Sequence, residues 1–332
     1  MYSRWGIVAS LLLVIGGFSG AVLAESSASP SKKPEKIIID TDIGGDIDDA
    51  FAVALALRSP ELEIVGFSTV TGDTEARAKL LDRLLGENGH QDIPVAVGLN
   101  QNPVPSFLLY GDTVSQRRYA EGGHFARSSH PQAVEFLEEQ IHRNPDEITL
   151  VCIGALTNIG ALIDKDREAF RKLKRVVIMG GSVERGYSDP RYSSAHGPQP
   201  EANIVVDILA AQKVFTAGVP LYVMPLDSTA DLKLDEVKRG ILFSRDTPLT
   251  DALTLLYHQW AFAYGAVTPV LFDAMTLAYI INPSLCSVQP MHVRVDDKGL
   301  TRVESGTPNA QVCLHSDADA FFRFYMSRLL AQ

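Results

Sequence analysis

The sequence predicts an α/β protein: a single domain on a mostly parallel central sheet, helices on both faces, and a metal site at the carboxyl ends of the strands. Two observations carry this reading. Short apolar runs alternate with helical patterns along most of the 332 residues, as strand–helix–strand crossovers between parallel strands require. The first apolar run, Ile37-Ile38-Ile39, leads directly into Asp40-Thr41-Asp42-Ile43-Gly44-Gly45-Asp46-Ile47-Asp48-Asp49, five carboxylates within ten residues. Like charges this close repel and need a counter-charge. A hard divalent cation held by oxygen ligands, Ca²⁺ or Mg²⁺, supplies it. Helix capping accounts for one or two of the five.

Strands are expected at 37–39, 64–70, 93–97, 148–153, 176–179 and 221–224, each short enough for a buried parallel strand. Helical patterns fall between them at 50–58, 75–85, 132–143, 156–173 and 207–216. Ligands of such sheets gather beyond the strand carboxyl ends, where Asp40 and Asp42 stand. The long aperiodic stretches 103–127 and 184–200 read as lids or substrate loops. Near the end, 291–295 and 302–303 flank Asp296-Asp297-Lys298-Gly299, a hairpin signal. An amphipathic helix over 318–330 closes the chain, and neither an internal repeat nor a composition break divides it.

The first residues have the layout of a secretory signal: Arg4, an apolar stretch from Gly6 to Phe18, then Val22-Leu23-Ala24 as a small-residue cleavage site. Residues 1–24 are therefore expected to be a signal peptide, 25–36 a flexible linker rich in Ser, Pro and Lys, and 37–332 the catalytic domain. Export to the periplasm or the exterior follows, with no membrane attachment after cleavage. A formal charge of −10, without a basic cluster, argues against nucleic-acid polymers and anionic membranes. It suits a neutral small molecule held through a cation. Cys152, Cys286 and Cys313 are odd in number, widely spaced and in apolar surroundings, so they read as core residues. In an oxidising compartment one pair could bridge, and spacing does not select which.

Further polar clusters fall at other expected strand ends and helix mouths: Thr69-Val70-Thr71-Gly72-Asp73, Ile153-Gly154-Ala155-Leu156-Thr157-Asn158, Glu201-Ala202-Asn203, and Asp273 after Val270-Leu271-Phe272. One shared site explains them better than four separate turns or caps.

With these motifs in view, the chain resembles the nucleoside hydrolases of the inosine–uridine-preferring type, in a secreted bacterial-type form. The resemblance rests on IIIDTDIGGDIDDAFAVALAL, STVTGD, LVCIGALTNIG, VVIMGG, PEANIVVD and LFDAMTLAYIINP, in the family's order and over nearly all of the chain after the linker. It implies hydrolysis of a ribonucleoside to ribose and free base. It also implies a Ca²⁺ on Asp42, Asp49, the Ile153 backbone carbonyl and Asp273, and a homodimer or homotetramer. Asp42 would also be the general base toward the water on that cation. Asp48 would receive the ribose 2′-hydroxyl, Glu201 and Asn203 the 5′ side of the sugar, and Asp40 would orient its neighbours. The carboxylates suit this chemistry on physical grounds, because breaking an N-glycosidic bond builds positive charge on the ribose.

Three departures from the family pattern bear on the site. The acidic motif is two residues longer than in the best-known members, which leaves Asp46 as a solvated turn residue. Asp73 replaces an asparagine at a sugar-contacting position and can only accept hydrogen bonds unless protonated. Phe272 stands where many members carry a histidine that protonates the leaving base; it can stack on the base or fill the core, and stacking leans toward purines. His124 and His196, in the two long loops, are the candidates for a replacement acid, although each alone reads first as a solvated surface residue, and Tyr187, Tyr192 and Trp260 are candidate stacking groups. Two rivals remain at this stage: a haloacid-dehalogenase-type phosphatase with Asp40 as nucleophile, and a secreted nucleoside- or sugar-binding protein without turnover.

Overall fold

Ile37 and Ile39 face one side of a strand and Ile38 the other, and all three are fully buried. In the computed structural model, which describes residues 33–100, 114–121, 125–187 and 197–331, they belong to opposite cores. The same alternation repeats two strands further on, where Val177 and Met179 enter one core and Val176 and Ile178 the other. A strand that is apolar on both faces requires cover on both faces.

The sheet comprises β1 (Glu35–Thr41), β2 (Leu62–Thr69), β3 (Val95–Ala96), β4 (Thr149–Cys152), β5 (Arg175–Met179), β6 (Leu221–Met224), β7 (Cys286–Met291) and, after the hairpin β8 (Val293–Val295) and β9 (Thr301–Val303), β10 (Ala310–Ser316). Its order is β3-β2-β1-β4-β5-β6-β10-β7, parallel except for the antiparallel β10–β7 pair. All six strands expected from the apolar runs are present. β1 begins at Glu35, two residues inside the stretch read as linker.

The chain builds outward from β1 to β2 and β3, then returns to lay β4 on the other side of β1. The carboxyl ends of β1 and β4 therefore flank the point where the strand order reverses. Open α/β sheets bind ligands in that crevice.

Three sequence expectations change. The helix expected over 156–173 is two, Thr157–Lys165 and Arg167–Phe170, because Asp166 accepts the Ala169 N–H at 2.8 Å and starts a new helix. β7 and β10 were not foreseen. Polar residues interrupt both, and Pro290 lies in β7, where an edge strand tolerates its missing N–H. The last strand in sequence is thus interior in the sheet. Cys286 and Cys313, read as core residues, are both buried and joined in a disulfide that ties β7 to β10, Cα atoms 5.7 Å apart; Cys152 is free and buried.

The expected hairpin is present: Asp296 Oδ1 accepts the Lys298 and Leu300 N–H groups at 2.9 Å each. The closing helix spans Ala318–Leu330 as read. Among the described residues no helix is long and apolar enough to cross a membrane.

Candidate active site

The loop between β1 and the helix Asp48–Leu57 alternates acidic residues with buried anchors. Ile43 and Ile47 are fully buried and fix the loop to the core, and Gly44 takes a left-handed φ of +98° that an L side chain resists. Asp42 is half-buried at the mouth, whereas Asp48 and Asp49 are buried in the first helical turn. Gly154, just past β4, lets the chain pass Asp42: a Cβ there would lie 2.9 Å from the Asp42 nitrogen and 2.8 Å from Val70.

From across the sheet, Asp273 stands at the start of the helix Ala274–Ile281 without making a side-chain cap. Asp48, Asp49 and Asp273 each present a carboxylate oxygen within 4.8 Å of the others. Two helix N-termini thus meet at one cluster, and their partial positive charge offsets part of the repulsion.

The remainder shows in the proton affinities. Burial, then the charges of Asp42 and Asp48, push the Asp49 carboxyl well above its ordinary range. Burial, then Asp46, does the same to Asp48, and burial, then Asp48 and Asp49, to Asp273. Asp48 and Asp273 are hydrogen-bonded to each other, an arrangement in which one carboxyl holds a proton. Asp42, which shares a hydrogen bond with Asp49, is also raised by burial, against the opposing charge of Arg77. An all-oxygen, all-anionic set of this kind fits a hard dication.

Supporting contacts fix each carboxylate. Asp40 is fully buried and its Oδ1 accepts Ser68 Oγ at 2.5 Å and Asn158 Nδ2 at 2.8 Å, with burial raising its pKa to about 7. It joins Ser68 of β2 to Asn158 of the helix after β4. Its full burial does not suit a phosphatase nucleophile, which must meet its substrate. Thr41, missed in the sequence reading, donates to Asp49 Oδ1 at 2.5 Å and accepts the Ile43 N–H at 3.1 Å.

Ile153 directly follows β4 beside Asp40, whose carbonyl accepts its N–H at 2.8 Å. Glu201 accepts the N–H groups of Gly181 (2.9 Å), Asn203 (3.0 Å) and Ile204 (3.2 Å), and burial lifts its pKa to about 7 with a further contribution from Asp42. Asn203 donates to the Met179 carbonyl at 3.1 Å, so both residues sit at the carboxyl end of β5.

Other expectations are corrected. Asp73 does not join the cluster. It caps the helix Thr74–Glu87 through the Ala76 N–H at 3.0 Å and pairs with Arg117 at 2.5 Å, and despite some burial these contacts hold its carboxyl below the usual range. Asp46 is only partly exposed, and its charge acts on Asp42 and Asp48, so it belongs to the acidic group. Trp260 is 1% exposed and lies in the core. Phe272 is buried, its ring edge-on to Tyr187 with centroids 6.1 Å apart. His124, His196 and Tyr192 lie outside the described residues.

Three groups were invisible to motif reading. Tyr264 stacks on Trp260 and is raised by burial and by the charges of Asp46 and Asp42, which places it beside the cluster. Asp227 accepts the N–H groups of Val183, Glu184 and Arg185 at 2.9, 2.7 and 3.2 Å and fixes the segment leading to Tyr187. Arg77 lies fully buried against the acidic loop. A long-range partner has no local sequence signal.

The family described as inosine-uridine preferring nucleoside hydrolase matches residues 37–323. Uridine nucleosidase 1 of Arabidopsis thaliana is 31% identical over 279 residues, covering 81% of this chain and 80% of that protein. The pyrimidine-specific ribonucleoside hydrolase RihA of Shewanella sp. (strain MR-7) is 32% identical over 307 residues, covering 86% and 93%. Among solved structures, a plant nucleoside hydrolase, the PpNRh1 enzyme, superposes with a TM-score of 0.77 at 27% identity, covering 90% of this chain and all of that one. The purine-preferring ribonucleoside hydrolase of Gardnerella vaginalis shares the fold, with a TM-score of 0.75 at 23% identity and 89% and 98% coverage.

The raised carboxyls make a prediction about proton linkage. Carboxyls raised above their ordinary range keep their protons to higher pH, whereas a cation needs them ionised. Binding of a divalent cation such as Ca²⁺ to the chelator-treated protein should release protons, more of them at lower pH, with affinity rising as pH rises. Calorimetry in buffers of different ionisation enthalpy measures this. A heat independent of buffer at the lower pH would contradict it.

Proposed function

Because the chain belongs to the inosine-uridine preferring nucleoside hydrolase family, it is a hydrolase of the N-glycosidic bond of ribonucleosides, and we propose that it works with Ca²⁺ held by Asp42, Asp49, Asp273 and the Ile153 carbonyl. That membership replaces the reading as a binding protein without turnover. One observation carries the Ca²⁺ proposal: buried carboxylates of Asp48, Asp49 and Asp273 converge within 4.8 Å, where their repulsion is relieved by a dication. An ion held by these residues would make a nearby water easier to deprotonate and would help hold the ribose hydroxyls.

The protein's own groups divide the remaining work. Asp42, the most accessible of the inner carboxylates, takes the proton of the attacking water as the bond to the base breaks. Asp48 accepts the 2′-hydroxyl, and Glu201 and Asn203 frame the 5′ side. The fixed negative field of the cluster stabilises the positive charge that grows on the ribose, without reorganisation during the reaction.

The nucleobase is assigned to the aromatic side of the site, where Phe272 and Tyr187 meet edge to face. Phenylalanine cannot donate a proton, so departure of the base leans on stacking, which favours the larger purine ring system. Export is proposed from Arg4, the apolar run and Val22-Leu23-Ala24, and the Cys286–Cys313 disulfide supports it, since such bonds persist in oxidising compartments.

Three experiments test these assignments. Asp42→Asn keeps an oxygen ligand but loses the base; turnover should fall by about 10²–10⁴-fold while nucleoside binding weakens far less. Equal, modest losses in both would make Asp42 a binding residue. Phe272→Ala should cost more kcat on inosine than on uridine, and a wild-type uridine preference with no purine loss in the variant would defeat the stacking assignment. The mature protein should begin near Glu25, with Cys286 and Cys313 protected from alkylation until reduced. Recovery of a cytosolic chain with Met1 intact would refute export.

A further inference from the structure

Five consecutive carbonyls of the acidic loop, from Asp42 to Asp46, each accept a hydrogen bond from a side chain or backbone group outside the loop. Arg77 Nη1 donates to the carbonyls of Asp42 and Ile43, the latter at 2.9 Å. The Gln116 N–H reaches Gly44 O at 3.2 Å, Ser115 Oγ reaches Gly45 O at 2.8 Å, and Gln116 Nε2 reaches Gly45 O at 3.1 Å and Asp46 O at 2.9 Å. Arg77 and Gln116 are both fully buried.

Arg77 is unusual in what it leaves undone. Among the described residues its hydrogen bonds all go to carbonyls: besides those two, Nε donates to Thr71 O at 2.7 Å, and Nη2 is buried with no partner. Thr71 itself is held at φ +67°, a strained conformation for a β-branched residue. A guanidinium buried beside the carboxylates of Asp42 and Asp49, yet spent on backbone, is positioning that backbone. Its charge is simultaneously the fixed cation that favours the ionised forms of Asp42 and Asp49.

We propose that Arg77, together with Gln116, is a positioning residue for catalysis, presetting the backbone from Asp42 to Asp46 so that Asp42, Asp48, Asp49 and Asp273 converge before a dication arrives. Without that scaffold, mutual repulsion drives the carboxylates apart in the cation-free protein, and binding must restore the loop. The inference rests on the Ca²⁺ reading above. Lysine keeps the charge but not the fork, and cannot reach Thr71, Asp42 and Ile43 together.

Ca²⁺ titration of the full-length, chelator-treated protein by calorimetry, alongside inosine turnover at varied Ca²⁺, is the test. Arg77→Lys should weaken Ca²⁺ by about 10–100-fold, the range for groups that orient metal ligands. Its kcat should return to near the wild-type value once Ca²⁺ saturates. Gln116→Met, which leaves every charge in place, should weaken Ca²⁺ in the same sense, and decides the matter if Arg77→Lys does not fold. Added guanidinium should restore Ca²⁺ affinity to Arg77→Ala. Wild-type affinity in the folded variants, a kcat that stays low at saturating Ca²⁺, or no recovery with guanidinium would each overturn the positioning role. Failure of the Ca²⁺ reading is separate: there the wild type binds no Ca²⁺, or Asp49→Ala binds it as well as wild type.

Discussion

Several carboxylates held out of water within a few ångströms of one another form the constraint around which this molecule is arranged. Asp48, Asp49 and Asp273 are buried and share a site, and Asp42 and Asp46 add charge at its mouth. Each would be more easily ionised if it were alone in water. Their neighbours answer that cost in three ways: two helix N-termini point at the cluster, Thr41 donates to Asp49, and a buried arginine lies against the loop. What remains of the repulsion is the binding energy offered to a cation.

The sheet makes such crowding tolerable. Because β1 lies between β2 and β4, its carboxyl end opens into the crevice where strand order reverses. Asp40 uses that place to join Ser68 of β2 to Asn158 of the helix after β4. A fully buried carboxylate thereby ties the ends of β1 and β2 to the helix after β4. Gly154 serves the same end by omission, leaving room for Asp42.

The far side of the site is apolar and aromatic, and its order comes from different contacts. Asp227 gathers three N–H groups of the segment before Tyr187, and the Tyr187 hydroxyl accepts the Ala202 N–H at 3.0 Å. Glu201, fixed by three N–H groups, starts the same short helix. The Glu201 and Tyr187 sides of the site are therefore mechanically linked through residues 201–204. A hydrolase that must hold a ribose rigidly while a base departs benefits from that linkage.

The sequence by itself determined the strand–helix alternation, the six strands that build most of the sheet, and the acidic cluster at the end of the first of them. These signals are local: apolar runs report burial on both faces, and a dense row of aspartates after a strand reports a concentration of negative charge. Tertiary structure alone decided which carboxylates meet. Asp273 joins Asp48 and Asp49 across more than two hundred residues, while Asp73, inside an equally suggestive motif, turns away to cap a helix and pair with Arg117. It also placed β10 inside the sheet, joined Cys286 to Cys313, and put Arg77 and Gln116 against the glycine loop. Such contacts depend on which distant side chain fills a given space, and no spacing along the chain encodes that.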